Sequence, residues 1–179
     1  SVERLSDKLA TARKSGRSPE VVVPVHFAGQ PTEQEAIAQL GREYGFKIVE
    51  DASHSIGARR NDEWVGSCRW SDITIFSFHP VKIVTSAEGG AATTNDPMLA
   101  ERLELFRSHG ITRNAQRFSD PAARTSPAPW YYEQQELGFN YRLTDVQAAL
   151  GRSQLTRLDQ YVRRRNQLAI RYQQSLIDD

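Results

Sequence analysis

The apolar positions of this chain change their spacing from segment to segment, and each change marks an expected element. Val2 to Lys14 reads as a helix that fades into the turn Ser15-Gly16-Arg17-Ser18-Pro19, and Ser1-Val2-Glu3-Arg4 reads as the middle of a helix rather than its start. The run from Val21 to Phe27 predicts a buried strand, weakened by Pro24, which cannot donate to a ladder. Thr32-Glu33-Gln34-Glu35 has the form of a capping box and predicts a helix to about Tyr44, closed by Gly45. Strands are expected at Phe46 to Glu50, with Asp51 at the C-terminal end, at Asp72 to Phe78, and at Gly90 to Thr94. Asp96 to His109 reads as a helix with Leu99, Leu103 and Phe106 on one face. Alternating strands and helices predict an α/β fold with a mostly parallel sheet.

Two stretches break the alternation. Ile111 to Phe139 is long and polar, contains Pro121, Pro127 and Pro129, and ends in the cluster Trp130-Tyr131-Tyr132. A loop of this length is either functional or disordered, and the aromatic cluster favours partial order against a partner or substrate. From Thr144 a helix is expected to run to about Ile177, with Leu150, Leu155, Leu158, Val162, Leu168, Ile170 and Leu176 as its apolar side. Arg163, Arg164 and Arg165 interrupt that side, and a solvated helix face explains them better than nucleic-acid binding.

Composition narrows the class. The chain has 179 residues, 39% hydrophobic and 25% charged, which is a globular composition with enough chain for a sizeable core. A net charge of +1 offers no general attraction to nucleic acid or an anionic membrane surface. The one cysteine, Cys68, excludes an intramolecular disulfide and a multi-cysteine zinc site, and fits a reducing cytoplasm. His26, His54, His79 and His109 show no recognised ligand spacing among themselves or with Cys68. No apolar run approaches a membrane span, and no signal peptide is visible at Ser1.

The candidate chemistry centres on Lys82, in Phe76-Ser77-Phe78-His79-Pro80-Val81-Lys82-Ile83-Val84-Thr85-Ser86-Ala87-Glu88-Gly89-Gly90. An ammonium flanked by Val81, Ile83 and Val84 is costly, which favours the neutral, nucleophilic amine. The alternative is a lysine whose stem lies on apolar surface while its head reaches water. Asp51 and Ser77 are both expected at C-terminal strand ends, where functional groups of open α/β sheets gather. Singly, Asp51 fits a turn cap and Ser77 a strand hydroxyl bonded to a neighbouring backbone. Together with Lys82 they supply what pyridoxal phosphate requires: an amine for the aldehyde, a carboxylate for the pyridine nitrogen, and a hydroxyl for the phosphate.

Three blocks carry a resemblance. Glu50-Asp51-Ala52-Ser53-His54-Ser55-Ile56-Gly57-Ala58, the Phe76-to-Gly90 segment, and Leu137-Gly138-Phe139-Asn140-Tyr141-Arg142-Leu143-Thr144-Asp145-Val146-Gln147-Ala148-Ala149-Leu150-Gly151 resemble, in this order, the sugar-nucleotide aminotransferases of the DegT/StrS family. These are pyridoxal-phosphate enzymes of fold type I. The resemblance implies that Lys82 holds the cofactor as a Schiff base and carries the proton. It implies that Asp51 pairs with the pyridine nitrogen, Ser77 contacts the phosphate, and His54 lies beside the ring and its phenolic oxygen, where many members have Gln. Asn140 matches an asparagine that reaches the phosphate of the neighbouring subunit's cofactor in a homodimer. The implied layout is a partial large domain over residues 1–143, including the 111–139 loop, then a helix over 144–179 leading towards a small domain outside the chain.

Within the family, Val25-His26-Phe27-Ala28-Gly29, Asp51-Ala52-Ser53-His54 and Arg107-Ser108-His109-Gly110-Ile111 are most similar to the pseudaminic-acid pathway subgroup. That implies a UDP-linked 4-keto-6-deoxy-N-acetylhexosamine as substrate, glutamate as amino donor, and neither nucleic acid nor membrane as partner. Family dehydratases that use pyridoxamine phosphate carry His in place of the lysine, and Lys82 argues against that activity. The remaining alternatives are a catalytically incomplete cofactor-binding fragment and transamination of another nucleotide keto sugar.

Overall fold

In the computed structural model, which describes residues 1–126 and 128–177, helix α1 (Val2–Lys14) begins at Ser1, whose hydroxyl accepts the Arg4 N–H at 3.4 Å. Glu3 in its first turn and Arg13 and Lys14 in its last complement the helix dipole. Strand β1 (Val21–Val22), helix α2 (Gln34–Tyr44), strand β2 (Lys47–Asp51), the short strands β3 (Arg59–Arg60) and β4 (Glu63–Trp64), and strands β5 (Ile73–Ser77) and β6 (Gly90–Thr93) come after it. Helix α2 ends at Gly45, whose φ of 82° closes it in the left-handed region. Next come α3 (Pro97–Arg107), β7 (Ile111–Thr112), α4 (Pro121–Thr125) and β8 (Glu133–Gln134), and finally α5 (Asp145–Leu155) and α6 (Leu158–Ile177). The chain forms two units: Ser1–Asn95 together with the segment from Thr144 onward, and Asp96–Leu143.

The first unit is built on a sheet of order β1-β2-β5-β6, with β1, β2 and β5 parallel and β6 antiparallel to β5. The mostly parallel α/β expectation is therefore met. Glu50 pairs with Thr74 and Asp51 with Ile75. Strand alternation then puts Ile48, Glu50, Thr74 and Phe76 on one face and Asp51, Ile75 and Ser77 on the other. The first face is covered. Leu9, Ile37, Ala38, Phe46 and Ile48 form one buried cluster, and Ala52, Val65, Phe76, Phe78 and Val84 form a second. Each fully buried large aliphatic or aromatic side chain contributes about 1.5–3 kcal/mol. On the second face Ile75 remains 43% exposed. Helix α6 meets the unit at the turn of Gly57, where φ is 79° and a Cβ would stand 3.0 Å from Val162 Cγ2 and 3.1 Å from Leu158 Cδ1.

The second unit orders most of the stretch expected as a long loop. Strands β7 and β8 pair antiparallel, and Phe118 is fully buried with its ring edge-on to Tyr131 at 4.9 Å. Glu133 accepts the backbone N–H groups of Ser119 (2.5 Å) and Asp120 (3.3 Å). Pro127 lies outside the described residues.

Several boundaries differ from the sequence reading for identifiable reasons. The ladder of β1 covers only Val21–Val22, with an isolated parallel bridge from Val25 to Asp51, and Pro24 serves as an acceptor, its carbonyl taking the Asp51 N–H at 2.9 Å. The capping box at Thr32 does not form. Glu33 is the N-cap of α2 and makes no side-chain cap bond, while Thr32 is engaged by His26 through its N–H at 3.1 Å and its hydroxyl at 3.3 Å. In α3, Leu105 is the buried residue, while Leu99, Leu103 and Phe106 are half-buried. The helix expected from Thr144 to Ile177 is two helices, with Thr156 ending α5 before α6 starts at Leu158. The hairpin of β3 and β4 is absent from the sequence-based expectation. Its turn is Asn61-Asp62, both at positive φ (49° and 63°), a two-residue signal of the primed turn type.

Candidate active site

Asp51 is the last residue of β2, and hydrogen bonds back to its carboxylate shape the turn beyond the strand end. The Ser53 N–H donates to Asp51 Oδ1 at 3.0 Å. Hydrogen bonding from the Ser53 hydroxyl, then from the Ser53 N–H, holds the Asp51 carboxyl below the ordinary aspartate range, with smaller contributions from His54 and Lys82. The backbone of Asp51 is held as well, since the His26 N–H donates to its carbonyl at 3.0 Å. Ser77 ends the neighbouring strand β5 on the same face, and its Oγ accepts the His79 N–H at 3.4 Å.

Lys82 sits in a loop pinned at both ends. The Phe78 N–H donates to the Gly89 carbonyl at 2.8 Å, and the Phe78 carbonyl accepts from Ser86 N at 3.0 Å and from Thr85 Oγ1 at 3.1 Å. Val84 and Ser86 are fully buried. Lys82 donates its own N–H to the His79 carbonyl at 3.0 Å. The apolar setting expected from its flanks is only half realised: Val84 is in the core, but Val81 is 74% exposed and the Lys82 residue itself is half-buried.

Lys82 and His54 line one cleft of about 850 Å³, together with Ala28, Trp64 and, from α6, Arg163 and Arg165. His54 is exposed on the cleft wall, and its Nδ1 accepts the Ala28 N–H at 3.3 Å. Arg59, also on the wall, stacks its guanidinium 3.4 Å from the centroid of the Trp64 ring. His54 and Lys82 thus share the cleft with Ser53, whose N–H binds the Asp51 carboxylate, and Ser77 ends the adjacent strand. Asn140 belongs to the second unit, where it is exposed and forms an isolated antiparallel bridge with Ser108.

Behind Asp51 lies a buried polar cluster that sequence reasoning missed. Glu50 is 1% exposed, and its Oε1 accepts from Gln34 Nε2 at 2.6 Å while Oε2 accepts from Thr74 Oγ1 at 2.8 Å. His26 is fully buried, and its Nε2 lies 3.6 Å from Glu50 Oε2, beyond hydrogen-bond reach but close electrostatically. Burial raises the Glu50 carboxyl, but His26, Gln34 and Thr74 outweigh it and the net direction is down. The period-2 pattern starting at Ile48 could have found Glu50 on the core face, and the apolar run around His26 could have marked that ring as buried. Cys68 is buried, with its Sγ 3.4 Å from Thr74 Oγ1. Among the described residues no group of three or more His, Cys, Asp or Glu could hold a metal ion, and no helix is long and apolar enough to cross a membrane.

The donor set fits pyridoxal phosphate. A half-buried lysine and a histidine share a cleft of small-molecule size, and a carboxylate kept ionised by its own loop lies near both. An acid and a hydroxyl at C-terminal strand ends of a mostly parallel sheet, with a lysine in the loop beyond, stand where open α/β sheets gather their functional groups. The chain belongs to the DegT/DnrJ/EryC1/StrS aminotransferase family, whose profile matches residues 5–178. Among proteins it is similar to is the UDP-4-amino-4,6-dideoxy-N-acetyl-beta-L-altrosamine transaminase of Campylobacter jejuni, at 39% identity over 81% of this chain and 35% of that protein. A DegT DnrJ EryC1 StrS aminotransferase from Brucella abortus superposes with a TM-score of 0.83 at 29% identity, over 99% of this chain and 43% of that one. The PLP form of a putative sugar aminotransferase from Streptococcus pneumoniae gives a TM-score of 0.70 at 27% identity, over 87% of this chain and 41% of that one. The chain therefore spans well under half the length of these relatives.

Proposed function

We propose that this chain forms the lysine-bearing part of a pyridoxal-phosphate-dependent aminotransferase acting on a nucleotide-linked keto sugar. The observation that carries the reading is the cleft shared by Ser53, His54 and Lys82, with the Asp51 carboxylate bound by the Ser53 N–H at the strand end beside it. When bound, pyridoxal phosphate supplies the electron-withdrawing ring that lets an amino group pass from donor to acceptor. Lys82 Nζ anchors the group and moves a proton at the carbon that carries the transferred nitrogen. The Asp51 carboxylate holds a proton at the pyridine nitrogen. Ser77 would offer its hydroxyl to the phosphate, and His54 would stand beside the ring.

The substrate we favour is a UDP-linked 4-keto-6-deoxy-N-acetylhexosamine, with glutamate as donor. The support is the name of the Campylobacter relative and the subgroup motifs at Val25–Gly29, Asp51–His54 and Arg107–Ile111. We further propose a cytoplasmic homodimer in which Asn140 serves the partner subunit's site, residues 1–143 as part of the cofactor-binding domain, and residues 144–179 as the path towards a smaller one.

The test is covalent. Borohydride added with pyridoxal phosphate should fix the cofactor to the Lys82 peptide, seen by mass spectrometry. Lys82→Ala should abolish that label and lower amino transfer from glutamate to a UDP-4-keto sugar by about 100- to 10,000-fold, the range for losing a positioned acid–base group. A label on another lysine, or undiminished transfer by the variant, would overturn the assignment.

A further inference from the structure

The loop between β5 and β6 is held by the core at its two ends but not in the middle, where Lys82 sits. Phe78, Val84 and Ser86 are buried, whereas His79, Pro80 and Val81 are exposed. Packing therefore does not fix the backbone from which the Lys82 side chain departs. Hydrogen bonds do, and they converge on His79. Its N–H donates to Ser77 Oγ at 3.4 Å, its carbonyl accepts the Lys82 N–H at 3.0 Å, and its ring Nδ1 accepts the Val81 N–H at 3.3 Å. Among the described residues, every hydrogen bond made by the stretch from Pro80 to Ile83 has His79 as its partner.

We propose that His79 is a positioning residue for Lys82: its imidazole Nδ1, by accepting the Val81 N–H, closes the turn His79-Pro80-Val81 and so holds the next residue, Lys82, on the cleft wall. Pro80 has no N–H, so Val81 carries the first amide of the turn that the ring can bind. The bond runs from a side-chain acceptor to the N–H two residues on, the pattern by which Asn and Asp side chains stand in for a backbone turn. An imidazole whose Nδ1 accepts carries its neutral-state proton on Nε2. That nitrogen lies 4.0 Å from Glu88 Oε1 on the returning arm of the loop, too long for a hydrogen bond but electrostatically favourable. Glu88 is held in turn, because the fully buried Ser86 donates its hydroxyl to the Glu88 carbonyl at 2.8 Å. His79 thus ties the outgoing arm to the returning one. It also acts on Ser77: the Ser77 oxygen accepts from the His79 N–H, which leaves the hydroxyl hydrogen free to donate to an oxygen of a ligand. The His79 ring does not line the cleft, so its effect on a ligand passes through Lys82 and Ser77.

The inference rests on reading Lys82 as the cofactor-bearing amine, but its first test needs no cofactor. Amide hydrogen exchange, followed by NMR, should show the Val81 N–H protected in the unmodified protein. His79→Leu should speed its exchange about tenfold, the effect of one lost hydrogen bond, and His79→Asn, which keeps an acceptor in reach, should stay within about threefold. Because the ring is half exposed, the urea midpoint should be the same in all three proteins. Unchanged Val81 exchange in the Leu variant would overturn the turn-closing role. The second measurement is the rate at which pyridoxal 5'-phosphate becomes attached to the Lys82 peptide, trapped by borohydride at successive times. The Leu variant should label about tenfold more slowly and the Asn variant within about threefold of the unmodified protein. Equal labelling rates of the two variants, with Lys82 labelled normally in the unmodified protein, would sink the positioning role alone. No label in the unmodified protein would sink the cofactor reading and the positioning role together.

Discussion

Glu50 and Asp51 are consecutive acids on one strand with opposite fates. Glu50 points to the covered face, is 1% exposed, and has each carboxylate oxygen hydrogen-bonded by a buried neutral donor, with His26 close by. Asp51 points to the opposite face at the strand end, is half-buried, and takes its hydrogen bonds from the loop immediately after it. Both carboxyls are held below their ordinary range, but for different reasons. For Glu50 fixed partners overcome a large desolvation cost, whereas for Asp51 the local hydrogen bonds of Ser53 dominate and desolvation is secondary. The difference teaches that a lowered carboxyl is not in itself a mark of catalysis. What distinguishes Asp51 is that the residues just beyond it, Ser53 and His54, line an open cleft, while the partners of Glu50 are sealed in the core.

The comparison can be broken by substitution on either side. The largest expected effect is on the open side: Asp51→Asn should bind pyridoxal phosphate yet lose about 100- to 1,000-fold in amino-transfer rate, as expected for removing one preorganised charge. Its urea midpoint should hardly move, and a large loss of stability with a normal rate would make Asp51 the structural acid rather than the catalytic one. On the buried side, Glu50→Leu should cost about 3 kcal/mol, because Gln34 Nε2 and Thr74 Oγ1 lose their acceptor in the core. Urea unfolding at unchanged slope reads it directly.

Thr74→Val is a milder cut. It removes the hydrogen bond to the Glu50 carboxylate, together with the Ser71 Oγ (3.2 Å) and Cys68 Sγ (3.4 Å) contacts of the same hydroxyl, and should cost about 2 kcal/mol, with Gln34 still on Oε1. The smallest expected effect is the pH dependence of stability. The unfolded chain binds a proton at Glu50 more tightly than the folded chain does, so this stabilisation is present above the ordinary glutamate value of about 4.3 and is lost as pH falls through the lower folded value. Glu50→Gln should flatten the acid limb of a thermal-unfolding series. A residual slope of the same sign should remain from Asp51, and a limb unchanged by Glu50→Gln would show that the buried carboxylate is not the group that titrates.

Much of this site is legible along the chain because it is local. Asp51 and Ser77 are strand ends, Lys82 comes after Ser77 within one loop, and Ser53 and His54 lie just beyond Asp51, so the order of strands and turns is enough to suggest that they converge. The long-range partners are not legible. Thr32 has the sequence context of a helix cap, but His26 takes its N–H and hydroxyl, and the helix start moves to Gln34. The apolar run around His26 hints at burial but not at its partner: the ring faces Glu50, whose other partners, Gln34 and Thr74, come from α2 and β5.

By itself, then, the sequence determined the alternation of strands and helices, the placement of Asp51, Ser77 and Lys82 at strand ends and the loop beyond, and the family to which the chain belongs. Those rest on side-chain periodicity, turn chemistry and contiguous motifs, all of which act over a few residues. Tertiary structure alone decided which distant donors reach the sealed Glu50 carboxylate, which side chains share the cleft with Lys82, and which nitrogen of His54 meets the Ala28 N–H. Burial and hydrogen-bond pairing depend on segments far apart in the chain, and no local pattern states which distant donor will arrive.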